Sequence, residues 1–439
     1  MTSHPEIQII GGGLAGCEAA WQAASRGCRV VLFEMKPERF SPAHRNEHLA
    51  ELVCSNSLRS NSRENASGVL KEEMRVCRSL IIREADASSV PAGGALAVDR
   101  DAFSRSITGA VENHPSISVV RKEISEIPQA GIVVIATGPL TSEAFSPCLA
   151  TLTGKDFLYF HDAISPIVEA DSIDTVVTFK ASRYNKGTAD YINCPLTRQE
   201  YYAFIQEVLQ AEKVPLREFE TLTPYEGCMP IEVMAERGVE TLAYGPMKPV
   251  GLVDPHTDRQ PYAVVQLRQE NRDATLYNLV GFQTRLKWPE QKRIFAMIPG
   301  LKNAVFARYG SLHRNTYLHA PRLLLRSLQL KQDPRVFFAG QITGVEGYIE
   351  SAAMGLIAGI QANRYARGYD PVTPPPSTVV GALLSYITET IAADFQPMNA
   401  NFGILQPLGM RVPKKKRKAL FAERALSDIR AWNNREGGQ

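Results

Sequence analysis

The fold is decided by residues 7–34, which read IQIIGGGLAGCEAAWQAASRGCRVVLFE. Residues 7–10 are apolar, as in a buried strand, and residues 11–16 form a glycine-rich turn. An alanine-rich helix is predicted to follow from Cys17, and a second apolar strand, residues 29–34, ends in an acid. Strand, turn, helix and strand within about 30 residues make a βαβ unit, so the sequence predicts a Rossmann-type α/β fold.

Three glycines in the turn occupy the positions of a G-x-G-x-x-G dinucleotide-binding motif. The first allows a tight turn, the second lets a pyrophosphate approach the backbone, and the third permits close packing of helix on strand. The helix N-terminus offers N–H groups and a partial positive charge to a phosphate. The acid that ends the second strand would accept ribose hydroxyls, which favours FAD or NAD over NADP. The predicted cofactor-binding residues of this unit are Gly11, Gly12, Gly13, Leu14, Ala15, Gly16 and Glu34.

Two later segments favour FAD over NAD. Residues 132–138, IVVIATG, predict a buried strand that runs into a glycine turn. They are similar to the second glycine motif of two-dinucleotide-binding flavoproteins, which adds Thr137 and Gly138 to the predicted cofactor site. Residues 335–355 resemble the late flavin motif of that superfamily, in which a strand ends in glycine and a helix then points at the cofactor. There is no second complete G-x-G-x-x-G, so a nicotinamide that reduces the flavin is expected to dock without its own Rossmann fold.

Composition and element pattern indicate a globular protein with an insertion. The 439 residues carry 49 Lys plus Arg against 46 Asp plus Glu, a formal charge of +3, and 44% are hydrophobic. No apolar run approaches the ~20 residues of a membrane helix, and no secretory signal pattern is visible, so we expect no membrane association. Residues 98–111 predict a helix with Asp101 as its N-cap. Residues 151–315, with short strand-like pieces, many prolines and one helix near 198–211, are interpreted as an inserted α+β domain. The flanking residues, 1–150 and 316–439, would form the discontinuous FAD-binding domain.

The seven cysteines are widely spaced and include no C-x-x-C, which indicates reduced thiols in a cytoplasmic protein. Cys54, within VCSNSLR, and Cys228, within PYEGCMP, lie in polar, turn-rich stretches where a thiol can be reached and its pKa lowered. The other five are interpreted as packing or incidental residues, because a thiol is most often a small core hydrophobe.

Residues 44–48, HRNEH, match the H-x-x-E-H pattern of one class of zinc peptidase. That chemistry needs both histidines on one face of a stable helix and a third ligand. The surrounding polar loop does not favour a helix, so we expect no metal. His44, Arg45 and His48 are instead interpreted as polar lining near the flavin or a phosphate.

Two basic segments suggest a surface for a polyanion. Residues 414–418, KKKRK, lie at the end of a stretch (399–417) that is expected to separate the two helices of the C-terminal tail. They are also compatible with a solvated helix start, or with a nuclear localisation signal, a pattern with many false positives. The second segment comprises Arg308, Arg314, Arg322 and Arg326 with His313 and His319.

Five stretches together resemble a known family. They are GGGLAG (11–16), CSNSLR (54–59), YEGCMPIE (225–232), FFAGQITGVEGY (337–348) and MNANFG (398–403). The chain is therefore identified as a member of the bacterial folate- and FAD-dependent tRNA (uracil-5-)-methyltransferases. The next most similar family is the wobble-uridine carboxymethylaminomethyl flavoprotein, which has a much larger C-terminal region.

The resemblance implies methylation without S-adenosylmethionine. In that family NADPH reduces FAD, and methylenetetrahydrofolate gives a one-carbon unit to the reduced flavin. The unit then passes to C5 of the T-loop uridine at tRNA position 54. By motif, Cys54 and Cys228 become the two catalytic thiols, Tyr348 would stack near the isoalloxazine, and Gly340 with Gln341 would line the flavin. The inserted domain would bind substrate or tRNA, and no protein partner is implied.

Three alternatives remain at this stage. One is the wobble-uridine enzyme or a shortened relative. Another is an FAD-dependent thiol or NAD(P)H oxidoreductase without an RNA substrate, although the absence of C-x-x-C and of a second Rossmann motif speaks against it. The third is a non-catalytic tRNA-binding flavoprotein in which FAD is structural.

Overall fold

The computed structural model describes residues 6–154, 157–185, 188–215, 229–391, 395–410 and 412–437. The strands in this part of the chain are β1 (Glu6–Ile10), β2 (Arg29–Glu34), β3 (Ser57–Ser60), β4 (Ser89–Val90), β5 (Ala95–Val98), β6 (Ile117–Arg121), β7 (Ile132–Ile135), β8 (Phe157–Ile164), β9 (Ile167–Glu169), β10 (Phe179–Ala181), β11 (Tyr191–Leu196), β12 (Ala263–Gln269), β13 (Leu276–Leu279), β14 (Phe306–Arg308), β15 (Ser311–Leu318) and β16 (Val336–Phe338). The helices are α1 (Leu14–Ala24), α2 (Ala66–Val76), α3 (Leu80–Ala87), α4 (Arg100–Glu112), α5 (Ser146–Thr153), α6 (Arg198–Gln210), α7 (Ile231–Arg237), α8 (Thr241–Tyr244), α9 (Trp288–Phe295), α10 (Ala320–Leu323), α11 (Tyr348–Ala366), α12 (Val379–Glu389) and α13 (Lys414–Trp432).

A five-stranded parallel sheet, in the order β16-β7-β1-β2-β6, forms the centre of the first core. In its middle, Ile9 lies opposite Leu32 on one side and Val134 on the other. Strand β7 is wholly apolar and β1 contributes three buried isoleucines, as expected where helices cover the faces of a parallel sheet. The carboxyl ends of the strands lie along one edge, where ligands bind in this class of fold.

Helices α1 and α11 approach each other closely across this core. Gly355 and Gly359 of α11 lie against the backbone of Ala15 and Ala19 of α1, so that a Cβ at either glycine would overlap with it. A glycine inside a helix costs about 1 kcal/mol relative to alanine. Here the two glycines let the long helix pack directly beside the helix of the βαβ unit.

A second core lies in the middle of the chain. Six strands form a mainly antiparallel sheet in the order β10-β11-β12-β13-β9-β14, and α6, α7 and α9 contribute to the core that covers it. Its buried residues run from Val168 to Leu301, whereas the first core contains residues up to Leu149 and again from Tyr317. This is the arrangement expected of a Rossmann-type domain with an inserted α+β unit. The domain boundaries themselves remain a prediction.

Three local expectations differ from the structure. The N-cap of α4 is Asp99, whose carboxylate accepts the N–H of Ala102 at 2.9 Å, while Asp101 lies in the first turn. Helix α9 was not expected in the insertion. Its proline is compatible with a helix because it lies in the first turn, where the missing N–H has no partner inside the helix. Helix α13 begins at Lys414, so the basic residues are inside a helix rather than before one. In the described ranges no helix is both long and apolar enough to span a bilayer.

Candidate active site

The carboxyl edge of the parallel sheet opens into a cleft of about 1130 Å³. The turns after β1, β2 and β7 form its walls together with the start of α11. The predicted cofactor residues that line it are Gly11, Gly12, Gly13, Leu14, Ala15, Glu34, Thr137, Gly138, Gly340, Gln341 and Tyr348. Gly16 does not line the cleft; it packs beneath the turn.

The glycine turn has a geometry that few other residues could adopt. Gly11 has a φ of +106°, and a Cβ there would lie 2.5 Å from the carbonyl oxygen of Ala136. A Cβ at Gly16 would overlap with the carbonyl of Gly11. At Gly13, in contrast, a Cβ would meet nothing within 4 Å, and no side chain caps α1 at this position. The first N–H groups of α1 are therefore available to a phosphate in the cleft.

Glu34 is fixed at the wall of the cleft by two backbone donors. Its Oε2 accepts the N–H of Gly12 at 2.8 Å, and its Oε1 accepts the N–H of Lys36 at 2.9 Å. The side chain is buried, so these bonds hold the carboxylate in one orientation. A carboxylate at the end of the second strand of a βαβ unit is suited to accept ribose hydroxyls.

Tyr348 joins the cleft to the loop that carries Cys54. Its hydroxyl oxygen accepts the N–H of Cys54 at 2.8 Å and that of Ser55 at 3.3 Å. Burial, followed by the neighbouring Cys54, raises the pKa of Tyr348 well above its usual value, so the phenol stays protonated near neutral pH. Val53 and Tyr348 both line the cleft. Cys54 itself is half-buried and directly follows Val53 in the chain, so it lies next to the wall of the cleft, at its rim.

The loop around Cys54 is bound by residues of both cores. Arg268, on β12, donates from Nε to Oδ1 of Asn56 at 2.9 Å and from a terminal nitrogen to Oγ of Ser55 at 2.7 Å. Arg100, on α4, donates from a terminal nitrogen to the carbonyl of Leu52 at 2.9 Å and from Nε to Glu270 at 2.7 Å. The loop, the Rossmann core and the inserted sheet therefore meet at Cys54.

Arg308 faces the same junction with its charge uncompensated. Burial, and then the positive charge of Arg100, lowers the pKa of Arg308 to about 10, against an opposing effect of Tyr348 and Cys54. The guanidinium remains charged at neutral pH. Within the part of the chain that the structure describes, it makes no hydrogen bond or ion pair. Such a cation is a candidate partner for an anionic group on a substrate.

The remaining described cysteines have less suitable surroundings. Cys17 and Cys194 are buried, and burial raises the pKa of both thiols far above neutrality. Burial likewise raises the pKa of Cys77 to about 12. These residues cannot supply a thiolate near neutral pH, and we assign them to packing.

Comparisons with known proteins agree with this geometry. A family model described as "Glucose inhibited division protein A" matches residues 6–370. A relative from Geobacter sulfurreducens is 61% identical over 427 residues, which cover 97% of this chain and 98% of the relative. Another, from Syntrophus aciditrophicus, is 58% identical over 435 residues, 99% of both chains. Both are named methylenetetrahydrofolate--tRNA-(uracil-5-)-methyltransferase TrmFO. The chain belongs to the TrmFO family.

A solved structure shows the same fold. GidA of Aquifex aeolicus superimposes with a TM-score of 0.73 at 17% identity, covering 100% of this TrmFO-family chain but 74% of the GidA chain. The predicted fold class, a Rossmann-type FAD-binding α/β domain with an inserted α+β domain, is confirmed, as is the family resemblance. Cys228 lies outside the described residues, so its distance from Cys54 is not a result of this structure.

The cleft of this TrmFO-family member also contains residues that the sequence did not single out. They include Lys36, Glu51, Lys122, Glu123, Ser142 and Ser351. Lys122 and Glu123 directly follow β6, at the same edge as Glu34. The rule that selected Glu34, the end of a parallel strand, could therefore have found them. His44, which was expected to be polar lining, lies in the cleft wall.

The second basic segment does not form one surface in the described residues. Arg308 interacts electrostatically with Tyr348 and Cys54, whereas Arg326 is bound to Thr373, to the carbonyl of Pro374 and, on α12, to Ser385. The side chains of His313 and Arg314 lie outside the described part. The residues at 414–418 are all exposed, at the start of α13.

Proposed function

We propose that this protein uses FAD, methylenetetrahydrofolate and NADPH to methylate C5 of the T-loop uridine at position 54 of tRNA in the cytoplasm, giving 5-methyluridine. The observation that carries the proposal is the position of Cys54 at the rim of a dinucleotide cleft, with its backbone bound to Tyr348. The relatives that match nearly the whole chain have names that describe folate-dependent methylation of tRNA uracil at C5, which supports the proposal.

The residues of the cleft suit FAD. Cβ atoms at Gly13 and Gly138 would meet nothing within 4 Å, which leaves room for a pyrophosphate beside the start of α1. Glu34 offers a fixed acceptor for ribose. The cleft extends along the ends of three parallel strands, as an extended dinucleotide requires. Bound FAD would supply electrons and carry the one-carbon unit from folate to uracil.

Two thiols have distinct tasks in this chemistry. Uracil C5 is a poor nucleophile until a thiolate adds to C6, and a base must later remove the C5 proton. We favour Cys228 for addition to C6 and Cys54 for handling the proton or the one-carbon unit. Tyr348 and Arg268 would hold the Cys54 loop in place while the base enters.

Arg308 would stabilise charge on the uracil. Addition of a thiolate to C6 places negative charge on the C4 oxygen, and a fixed cation near that oxygen lowers the barrier. Arg308 is charged, is close enough to Cys54 to interact with it electrostatically, and has no competing partner among the described residues.

Helix α13 would bind tRNA phosphates. Five exposed cations, residues 414–418, occupy its start, and its first turn contains no acid. A cation at a helix N-terminus opposes the helix dipole by about 0.3–1 kcal/mol. A polyanion would offset this cost. The T-loop uridine, which is buried in folded tRNA, must also be flipped out to reach the cleft.

The test is a reaction of the purified protein with unmodified tRNA transcript, methylenetetrahydrofolate and NADPH, followed by nucleoside mass spectrometry. We expect 5-methyluridine at position 54. It should disappear when S-adenosylmethionine replaces folate, or when position 54 is cytidine. A parallel reaction with NADH in place of NADPH measures the choice of reductant.

An FAD-loaded protein that oxidises NADPH but leaves every uridine at position 54 unmodified would contradict the proposal. Modification of the wobble uridine in the same samples would assign the chain to the other tRNA reaction. Oxidation of NADPH without any RNA product would assign it to the plain oxidoreductases.

A further inference from the structure

Three aromatic rings are stacked on the inserted unit. The rings of Phe306 and Tyr309 have centroids 5.0 Å apart and planes inclined by 17°. Those of Tyr309 and Trp288 are 5.5 Å apart and inclined by 16°. Phe306 in turn contacts Phe295 of the second core, with centroids 6.2 Å apart. The column is thus anchored in the core at one end and continues, nearly parallel, to Trp288.

The outer end of the column is open. Trp288 is 60% exposed, which is unusual for the largest apolar side chain, and it stands at the first position of α9. The other two tryptophans differ: Trp432 is buried, and Trp21 is half-buried with Arg83 over its ring at 4.7 Å. The outer face of the Trp288 indole therefore presents a flat aromatic surface to solvent.

Two cations beside Trp288 are paired with acids. Lys287 pairs with Glu212 at 2.6 Å, and Arg293 pairs with Glu290 at 2.8 Å. The indole itself offers a π-face, and because every nucleic-acid base also has one, any base can stack on it.

The column is continuous with the reactive junction. Tyr309 directly follows Arg308, whose guanidinium interacts with Cys54 and Tyr348. On the other side, backbone hydrogen bonds fix the segment that leads to Trp288: the carbonyl of Gln283 accepts the N–H of Ile231, and the carbonyl of Glu212 accepts the N–H of Lys287. Trp288 does not line the dinucleotide cleft. It therefore lies on the inserted unit, outside that cleft.

We propose that Trp288 is a stacking platform for an unpaired base of the RNA substrate, next to the base that is modified. This inference rests on the proposed function, since it requires RNA as the substrate. Sequence-specific recognition of RNA commonly uses unstacked bases laid on aromatic side chains. Flipping of the target uridine would expose a neighbouring base, and the indole would replace the stacking that this base loses.

The experiment compares Trp288→Ala and Trp288→Phe with wild type and with Tyr244→Ala. Tyr244 is 84% exposed on the same unit and serves as a matched control for loss of a surface aromatic ring. KM values for tRNA and for methylenetetrahydrofolate are measured separately. Base–aromatic stacking is worth enough for Trp288→Ala to raise the KM for tRNA about 5- to 100-fold. Trp288→Phe should retain most of the affinity, and Tyr244→Ala should match wild type.

Fluorescence gives a readout that does not depend on activity. Titration of a T-arm hairpin RNA should quench the emission of wild-type protein and of Tyr244→Ala, but not that of Trp288→Phe. An unchanged KM for tRNA in Trp288→Ala, or a rise in the folate KM alone, would overturn the inference. So would equal quenching in Trp288→Phe. If wild type binds the hairpin with quenching but forms no 5-methyluridine, the proposed reaction fails while the platform stands.

Discussion

The described cysteines occur in two different environments. Cys17, Cys77 and Cys194 are enclosed by apolar side chains, and burial raises their pKa values. Cys54 instead lies beside arginines at the edge of a cleft. Thiolates form where positive charge and access coincide. The difference between the packing cysteines and Cys54, which we propose to be reactive, is thus a property of the surrounding elements.

Replacement of Cys54 tests this distinction. Cys54→Ala should reduce formation of 5-methyluridine at least about 100-fold, because a positioned acid–base group contributes that much. Binding of FAD, followed by its absorbance, should persist since the glycine turn is untouched. Cys148→Ala is the matched control, because Cys148 is also half-buried but lies on α5. Equal losses in both variants would remove Cys54 from the catalytic residues.

Lys71 gives a second test at the residue scale. Its ammonium is buried and donates to the carbonyls of Ser60 at 2.7 Å and Ser67 at 3.1 Å. Burial lowers the pKa of Lys71 from 10.5 to about 7, although Glu350 opposes the shift. Between these pH values the unfolded chain binds more protons at this site, so the lysine favours folding increasingly as pH rises. The melting temperature of wild type relative to Lys71→Met should therefore increase from pH 7 to pH 10. A difference that stays constant over this range would contradict the shift.

At the residue scale, the sequence alone predicted the positions of residues that belong to a local motif. The glycine turn and Glu34 could be placed because a βαβ unit fixes their relation within 34 residues. The bonds of Arg268 to Ser55 and Asn56 could not, since these partners lie more than 200 positions apart. A single sequence contains no signal for such a pair.

At the scale of elements, buried carboxylates from other helices cap the N-termini of two helices. Glu18 accepts the N–H of Ile81 at 2.9 Å and the hydroxyl of Ser79 at 2.7 Å, at the start of α3. Glu73 accepts the N–H groups of Val379 at 2.7 Å and Val380 at 2.9 Å, at the start of α12. Each carboxylate satisfies donors that the helix itself leaves unpaired. The caps come from distant helices, so they also fix how the helices pack.

Removal of the second cap should be costly. Glu73→Ala leaves two buried N–H groups without a partner, and we expect the free energy of unfolding to fall by about 1–3 kcal/mol. Denaturant unfolding monitored by circular dichroism measures the change. Glu72→Ala is the control, because Glu72 makes only surface ion pairs with Arg63 and Arg75. A loss no greater than that of the control would show that the cap does not stabilise α12.

Helix α9 shows why some elements escaped sequence reasoning. It is eight residues long and begins Trp-Pro, in a region rich in prolines, so the local pattern favoured a loop. Ile294 and Phe295 bury one side of it in the second core. Tertiary packing therefore stabilises a helix whose own propensity is weak.

At the scale of the whole molecule, the net charge of +3 conceals a concentrated basic site at α13. If residues 414–418 contact phosphates, tRNA binding must weaken as salt rises. In a plot of the logarithm of the binding constant against the logarithm of the salt concentration, each contact steepens the slope by about 0.7–0.9. The triple variant Lys414→Gln, Lys415→Gln, Lys416→Gln should lower the slope by about 2–3. The slope is obtained by measuring the affinity for tRNA at salt concentrations between about 50 and 300 mM. An unchanged slope would place the tRNA elsewhere on the molecule.

The hydrogen bonds between Arg268 and the 54–56 loop also limit how this architecture can be rearranged. An inserted unit transplanted from a distant flavoprotein would bring a different residue to the position of Arg268. The oxygen of Asn56 would then lose its donor, and the loop would lose its support beside Tyr348. A functional chimera must therefore exchange Ser55, Asn56 and Arg268 together. The two cores are distinct in sequence, yet the second can be replaced only along with a piece of the first.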